Sequence, residues 1–190
     1  MRCSMLLPAL ALSTLALVAL PAQAALAPGA AAPDFKTRGA VNGREFKLHL
    51  KDQLKHGPVV LYFFPAAHTS GCNAEAKAFA EAVPEFRAAG ASVIGMSADT
   101  VATLIDFSKQ ECAGKFPVAS AGPGVIAAYD VALGKAVSIN GSPPRNITNR
   151  TSYVIAPDGT IIFAHSAGEA VPHVAKTLEA VKAWRTAHVR

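Results

Sequence analysis

The sequence predicts an α/β chain with a mixed β-sheet, and three features lead to that prediction. Apolar runs over Val59–Phe64 and Ala91–Ser97 flank an alanine-rich helical segment, and such a β-α-β unit has parallel strands. Later in the chain, strand-like residues on both sides of Pro157–Thr160 predict an antiparallel hairpin. A last amphipathic segment, Val174–His188, predicts a closing helix.

The first 24 residues have the features of a secretory signal peptide. Arg2 supplies a basic start, Met5–Leu20 is mostly apolar, and Ala22–Ala24 fits a small-residue cleavage pattern. A retained membrane anchor is the alternative, but the apolar run is short and no basic cluster follows it. We therefore expect cleavage after Ala24, a periplasmic or secreted protein without a membrane span, and one domain over residues 25–190.

Composition narrows the possible functions. The 190-residue chain has a formal net charge of +5, but its Lys and Arg residues are scattered, so nucleic-acid binding has little support. Removal of the signal peptide would take away Cys3 and leave Cys72 and Cys112, which allow a single disulfide.

The segments between these landmarks can be assigned in chain order. An Asn42-Gly43 turn predicts a small hairpin of residues 34–37 and 45–48. A helix after Val59–Phe64 should run from about Ala74 to about Ala89, with Pro84 kinking or dividing it. The remaining predicted elements are a short helix at Leu50–Lys55, a helix at Val101–Gln110, a strand at Phe116–Ser120 and a brief helix at Val125–Tyr129.

Residues 130–149 are predicted to be a loop. The segment contains Gly134 and Gly141, and it also contains the pair Pro143-Pro144. Glycine and proline interrupt regular structure, so these residues favour a loop, and the sequence leaves its conformation open.

The chemistry is predicted to lie at Cys72, just beyond the first apolar strand. Pro65 ends that strand, and Thr69, Ser70 and Gly71 are typical of a loop and a helix start. A thiol near a helix N-terminus lies close to the positive end of the helix dipole, which favours the reactive thiolate. The alternative is an inert buried cysteine, which would more naturally fall inside the apolar strand.

The spacing of Pro65, Thr69, Cys72 and Glu75 resembles the active-site signature of peroxiredoxins, and the nearest resemblance is to the Q-type, or bacterioferritin-comigratory, branch. Ser70 departs from this branch, which usually has proline there. Arg150, followed by a Thr-Ser-Tyr-Val-Ile strand, is similar to the family's arginine context. The resemblance implies a thioredoxin-like fold, with a central mixed sheet flanked by helices, and a thiol-dependent peroxidase.

The resemblance also implies a role for each residue of the signature. Cys72 would attack hydrogen peroxide or an organic hydroperoxide and become a sulfenic acid. Thr69 would hydrogen-bond the peroxide, and Pro65 would shape the pocket and shield the thiol. Arg150 would contact the cysteine, and Glu75 would orient Arg150 through an ion pair.

The route by which the sulfenic acid is resolved stays open. The position of the common Q-type resolving cysteine holds Lys77, so that route is absent. A second family arrangement places the resolving cysteine on the helix after the second strand of the β-α-β unit, and Cys112 lies at the end of that region. An intramolecular Cys72–Cys112 disulfide is therefore expected, and a one-cysteine mechanism with a buried Cys112 is the alternative.

The implied partners are a peroxide and a thioredoxin-like, glutaredoxin or other dithiol reductant, and the protein would be a monomer or weak dimer. No cofactor is expected. His68 could tune Cys72, although a solvated loop histidine is the simpler interpretation. The remaining histidines lack metal-ligand spacing: His49, His56, His165, His173 and His188.

Two other functions share this fold. An exported thiol–disulfide oxidoreductase would need Cys-x-x-Cys, but Thr69 occupies the place of the first cysteine. A non-catalytic thioredoxin-like binding module would not need the complete set of signature residues.

Overall fold

A computed structural model describes residues 25–188, so the predicted signal peptide lies outside the described residues. A seven-stranded sheet has the order β2-β1-β5-β4-β3-β8-β9, and a second sheet pairs β6 with β7. The strands are β1 Lys36–Val41, β2 Arg44–His49, β3 Val59–Phe63, β4 Ser92–Ser97, β5 Val118–Ser120, β6 Ala132–Val137, β7 Arg145–Thr148, β8 Thr151–Ile155 and β9 Ile161–Ser166. The helices are α1 Leu50–Leu54, α2 Ser70–Ala88, α3 Val101–Gln110, α4 Pro123–Ala128 and α5 Val171–His188.

Strand β3 lies in the interior of the sheet, and every one of its residues is buried. It pairs in parallel with β4 and antiparallel with β8, so the predicted mixed sheet and the predicted β-α-β unit are both confirmed. Because both faces of β3 are covered, a continuous apolar run suits it better than alternating polar residues.

Helices cover both faces of the sheet, and each face carries its own hydrophobic cluster. Buried residues of α2, α3 and α5 pack on one face, among them Phe79, Phe107 and Val181. Leu50 and Leu54 of α1 pack on the other face. This arrangement confirms the predicted thioredoxin-like fold with a central mixed sheet between helices.

Two antiparallel hairpins are present where the sequence predicts them. Strands β1 and β2 are joined at Asn42 and Gly43, whose φ values of 49° and 74° are those that a tight two-residue hairpin turn requires. Strands β8 and β9 pair on either side of the predicted Pro-Asp-Gly turn. In the first hairpin, β1 begins at Lys36, two residues after the predicted start, and both strands extend beyond the predicted bounds up to the turn itself.

Helix α2 differs from the prediction at its start and at its proline. It begins at Ser70 rather than near Ala74, so Cys72 lies inside the first helical turn. Pro84 lies within the helix and does not divide it. The neighbouring side chains Val83 and Phe86 are buried in the core, and that packing outweighs the one backbone hydrogen bond that proline cannot donate.

The predicted loop over residues 130–149 is wrong, because the segment forms the antiparallel hairpin of β6 and β7. Its turn contains Asn140 and Gly141, with φ values of 49° and 78°, and the Ser142 amide donates to the Ile139 carbonyl. Most residues of β6 are exposed or half-buried, so the strand lacks the apolar alternation that identifies a strand in sequence.

The start of the described chain is bonded to the β8–β9 turn region. The Leu26 amide donates to the Tyr153 hydroxyl at 3.1 Å, and the Gly29 amide donates to the Ile161 carbonyl at 2.8 Å. The Ala32 amide donates to the Gly159 carbonyl at 2.8 Å. Residues from Leu26 onward are therefore part of the folded domain. Within residues 25–188, no helix has the length and apolar character needed to cross a bilayer.

Candidate active site

Cys72 is the third residue of α2 and lies just past the carboxyl end of β3. Its side chain is buried, with only 2% of the residue exposed. The first helical hydrogen bond near it runs from the Asn73 amide to the Thr69 carbonyl, so the preceding amides have no helical acceptor. These amides and the helix dipole favour negative charge at this sulfur.

Arg150 reaches the Cys72 sulfur from the residue directly before β8. Its Nη2 lies 3.7 Å from Sγ, within the range of a hydrogen bond to sulfur. Its Nη1 donates to Glu75 Oε2, and its Nε donates to the Gly168 carbonyl at 3.0 Å. The guanidinium is thus held on three sides, with one nitrogen directed at the thiol.

Glu75 is completely buried one helical turn after Cys72. Burial raises the pKa of Glu75 to about 8, and the nearby Arg150 cation opposes this rise. Its second carboxyl oxygen, Oε1, has no hydrogen-bond partner among the described residues. The carboxyl can therefore take up a proton near neutral pH more easily than a solvated glutamate can.

Thr69 and Pro65 lie on the segment between β3 and α2. Thr69 is the N-cap residue of α2, but its hydroxyl accepts no hydrogen bond from the first helical turn and donates instead to the Ala66 carbonyl at 2.9 Å. Pro65 is half-buried and follows Phe64, whose carbonyl accepts a 2.7 Å hydrogen bond from the Thr148 hydroxyl. Both residues thus precede Cys72 on a segment that is bonded to β7 through the Phe64 carbonyl.

Asp99, which the sequence analysis did not single out, anchors the same segment. It is 6% exposed, and its Oδ2 accepts hydrogen bonds from the Ala67 amide at 2.7 Å and the Ser97 hydroxyl at 2.8 Å. Its Oδ1 accepts from Arg145 of β7. Asp99 directly precedes Thr100, the residue that caps α3, and its contacts with Ala67 and Arg145 are distant in sequence, so no local pattern identifies its role.

Cys112 lies just after α3 and is fully buried. Both Cys72 and Cys112 are free thiols. Burial raises the pKa of the Cys112 thiol well above its ordinary value, and the Glu111 carboxylate adds to the rise. While it stays buried, Cys112 is therefore a protonated and weakly nucleophilic thiol.

Contacts of Glu111 join the segments that carry the two cysteines. Asn73, next to Cys72, donates to Glu111 Oε1 at 3.2 Å. Lys77 lies 3.3 Å from Glu111 Oε2 as an ion pair. Lys77 is the residue at the position of the common Q-type resolving cysteine, and here it binds the neighbour of Cys112 instead.

Tyr62 of β3 forms part of the apolar wall behind the site. Its ring stacks on Phe79 of α2, with the ring centroids 4.3 Å apart. Burial strongly raises the pKa of its hydroxyl, and Cys112, Glu75 and Cys72 are close enough to add to the rise. The hydroxyl has no hydrogen-bond partner among the described residues.

The histidines fall into different environments. His68, on the Cys72 segment, has a φ of 60° and packs edge-on against Phe107, with ring centroids 5.5 Å apart. His173 is fully buried. Over the described part of the chain, no group of three His, Cys, Asp or Glu side chains could hold a metal ion.

Comparison with known proteins points to one family. Residues 28–164 match the model of the AhpC/TSA family. Peroxiredoxin Bcp of Xanthomonas campestris is 33% identical over 127 residues, which are 66% of this chain and 76% of that protein. The crystal structure of peroxidoxin BcpB from Mycobacterium tuberculosis is similar with a TM-score of 0.69 at 29% identity, covering 82% of this chain and 96% of the other.

A plant relative matches a shorter segment. Chloroplastic peroxiredoxin Q of Oryza sativa subsp. japonica is 43% identical over 82 residues, or 43% of this chain. The chain thus spans 36% of the length of this rice relative.

Proposed function

Because the chain belongs to the AhpC/TSA family, within its Bcp and peroxiredoxin Q branch, we propose that it is a thiol-dependent peroxidase acting on hydrogen peroxide and organic hydroperoxides. One observation carries the proposal. The buried sulfur of Cys72, in the first turn of a helix, lies 3.7 Å from Nη2 of Arg150, which in turn bonds a buried carboxyl. A thiolate beside a fixed cation is what attack on a peroxide requires.

In the proposed reaction, the Cys72 thiolate attacks one oxygen of the peroxide. A sulfur–oxygen bond forms, the oxygen–oxygen bond breaks, and the other oxygen leaves with a proton as water or an alcohol. Sulfur loses two electrons and becomes a sulfenic acid, while the peroxide is reduced. In this proposal, Arg150 stabilises the negative charge that moves from sulfur to oxygen, and the Thr69 hydroxyl would turn from the Ala66 carbonyl to bind the peroxide.

We assign the resolving step to Cys112. Its thiolate would attack the Cys72 sulfur, a disulfide would form, and the sulfenic hydroxyl would leave as water. Both thiols are buried, and disulfide geometry demands close approach, so the segments joined by the Glu111 contacts must separate and rearrange first. Exposure would also remove the burial that keeps Cys112 protonated.

A dithiol protein would then reduce the disulfide. We propose a thioredoxin-like or glutaredoxin-like reductant, an exported protein cleaved after Ala24, and a monomer or weak dimer. The apolar leader and its small-residue cleavage pattern support export. The reductant must then work in the same compartment.

The test is peroxide consumption with a dithiol reductant by the mature protein and its Cys72→Ser and Cys112→Ser variants. We expect Cys72→Ser to be inactive and Cys112→Ser to lose turnover supported by the dithiol. Mass spectrometry of peroxide-treated protein should find the Cys72–Cys112 crosslink. Sulfinic acid on Cys72 without a crosslink would instead support the one-cysteine route. No consumption by the wild type would reject the peroxidase and favour a binding module.

A further inference from the structure

A buried histidine lies behind the arginine of the site. His173 is the third residue of α5 and is fully buried. Its Nδ1 lies 2.8 Å from the Ser152 hydroxyl oxygen, and its Nε2 lies 3.2 Å from the Ala167 carbonyl oxygen. A carbonyl only accepts, so Nε2 carries the hydrogen and Nδ1 accepts from Ser152. One tautomer of the neutral ring therefore satisfies both contacts.

The peptide segment that His173 binds is also the segment that holds Arg150. The Arg150 side chain donates from Nε to the Gly168 carbonyl at 3.0 Å. The Ala167 amide donates to the Arg150 carbonyl at 3.2 Å. His173 therefore fixes the Ala167 carbonyl. On the same segment, the Arg150 carbonyl is bonded to the Ala167 amide, and the Arg150 side chain is bonded to the Gly168 carbonyl.

The surroundings of His173 keep it neutral. The pKa of His173 is lowered to about 4, mainly by burial, and the hydrogen bond to the Ala167 carbonyl opposes this fall. The groups that face the ring, His165, Arg150 and Lys176, contribute to the lowering. The His165 ring on β9 lies 4.6 Å away, centroid to centroid. At neutral pH the ring is thus a fixed donor to the segment between β9 and α5.

We propose that His173 is a positioning residue for the proposed peroxidase reaction, acting through the Ala167–Gly168 segment to hold the Arg150 guanidinium against Cys72. The inference rests on the proposed function and extends it to a group that does not touch the thiol. Loss of the bond to Ala167 would free the Gly168 carbonyl to shift and release Nε of Arg150. Displacement of a group at the reacting atoms by about 1 Å can slow a reaction by about 10²-fold.

Two substitutions of His173 separate its two hydrogen bonds. Gln has a side-chain amide that reaches about as far as Nε2, so His173→Gln keeps a donor for the Ala167 carbonyl. Asn is shorter, so His173→Asn keeps an acceptor for Ser152 but cannot reach Ala167. We expect kcat/KM for peroxide to fall about tenfold or more in Asn and to stay within about threefold in Gln. His56→Gln replaces an exposed histidine after α1 and is the control, with unchanged kcat/KM expected.

The same substitutions in an Arg150→Met background distinguish positioning from general structural damage. If His173 acts through Arg150, then His173→Asn should cause no further loss once the guanidinium is gone. Equal rates in the Asn and Gln variants would overturn the proposal. A loss from Asn that is as large without Arg150 as with it would also overturn the proposal.

A measurement independent of turnover keeps this test separate from the proposed function. The Nε–H signal of Arg150 can be followed by NMR and assigned from its disappearance in Arg150→Met. Its exchange with solvent should be faster in His173→Asn than in wild type and in His173→Gln. If the wild type consumes no peroxide, the proposed function fails, but the role of His173 in holding Arg150 is still tested by the Nε–H exchange. Faster exchange in His173→Asn supports that role, and unchanged exchange overturns it.

Discussion

Replacement of Arg150 by Met would test the central contact of the site. Met keeps an unbranched side chain of similar reach but removes the charge 3.7 Å from the Cys72 sulfur. At an effective dielectric constant of about 20, two unit charges at this separation interact by about 4–5 kcal/mol. That energy corresponds to about 10³-fold in rate. Charge in the transition state is spread over sulfur and oxygen, so we expect kcat/KM for peroxide to fall by about 10²–10³-fold.

The burial of Glu75 affects the rate expected for Arg150→Met. Without Arg150, a buried carboxylate would have no cation beside it, but its pKa, already raised to about 8, lets it take up a proton at neutral pH. Glu75→Gln added to Arg150→Met should therefore change the rate little further. The assay is initial peroxide consumption at pH 7, with thermal unfolding of each variant as a folding check. Arg44→Met replaces an exposed arginine and is the matched control. A loss below about tenfold in folded Arg150→Met would refute the reasoning.

Two further predictions concern the same carboxyl and the contacts between the cysteine segments. In the reduced protein, the pKa of Glu75 is about 4.5 in the unfolded chain and about 8 in the folded chain. Between these two pH values the folded protein holds a proton that the unfolded chain releases. The free energy of unfolding therefore falls as the pH rises from 4.5 to 8. Relative to Glu75→Gln, the wild type should lose about 2–3 kcal/mol between pH 5.5 and 7.5 in denaturant titrations, and parallel curves would contradict this. The second prediction concerns Glu111→Ala, which removes one hydrogen bond and one ion pair between the cysteine segments, worth about 1 kcal/mol together. Because these contacts must break before the two cysteines meet, the Cys72–Cys112 disulfide should form about fivefold faster after peroxide addition. The rate is measured by quenching and mass spectrometry. Glu85→Ala breaks an ion pair with Lys182 between α2 and α5, and it is the control for Glu111→Ala. Equal rates of disulfide formation in Glu111→Ala and the wild type would contradict the role given to Glu111.

Local sequence pattern predicted those parts of the fold that neighbouring residues determine. The buried run of β3, the parallel β4 and both hairpin turns carry signals within a few residues. The insertion of β5 between β1 and β4 depends on pairing between distant segments, and no local pattern records it. The β6–β7 hairpin was missed because β6 has no buried residue and so lacks apolar alternation, although Asn140-Gly141 is a turn signal of the kind correctly interpreted at Asn42-Gly43.

The residues of the candidate site also fall into those that a local sequence pattern predicts and those that it does not. The position of Cys72 near a helix start followed from residue types alone, whereas its grouping with Glu75 and Arg150 came from family resemblance. Asp99 and His173 were missed because their partners are distant in sequence. A histidine in a helix gives no sign in the sequence that it is bonded to a β-strand residue and a loop carbonyl.

The bonds of Leu26 and Gly29 to the β8–β9 region bear on how the chain would be processed. The proposed cleavage site after Ala24 is separated from the first bonded residue, Leu26, by only one residue. A peptidase that needs several extended residues on both sides of the scissile bond could not reach this site once the domain has folded. Maturation would then have to precede folding, and a preprotein that folded early would escape cleavage.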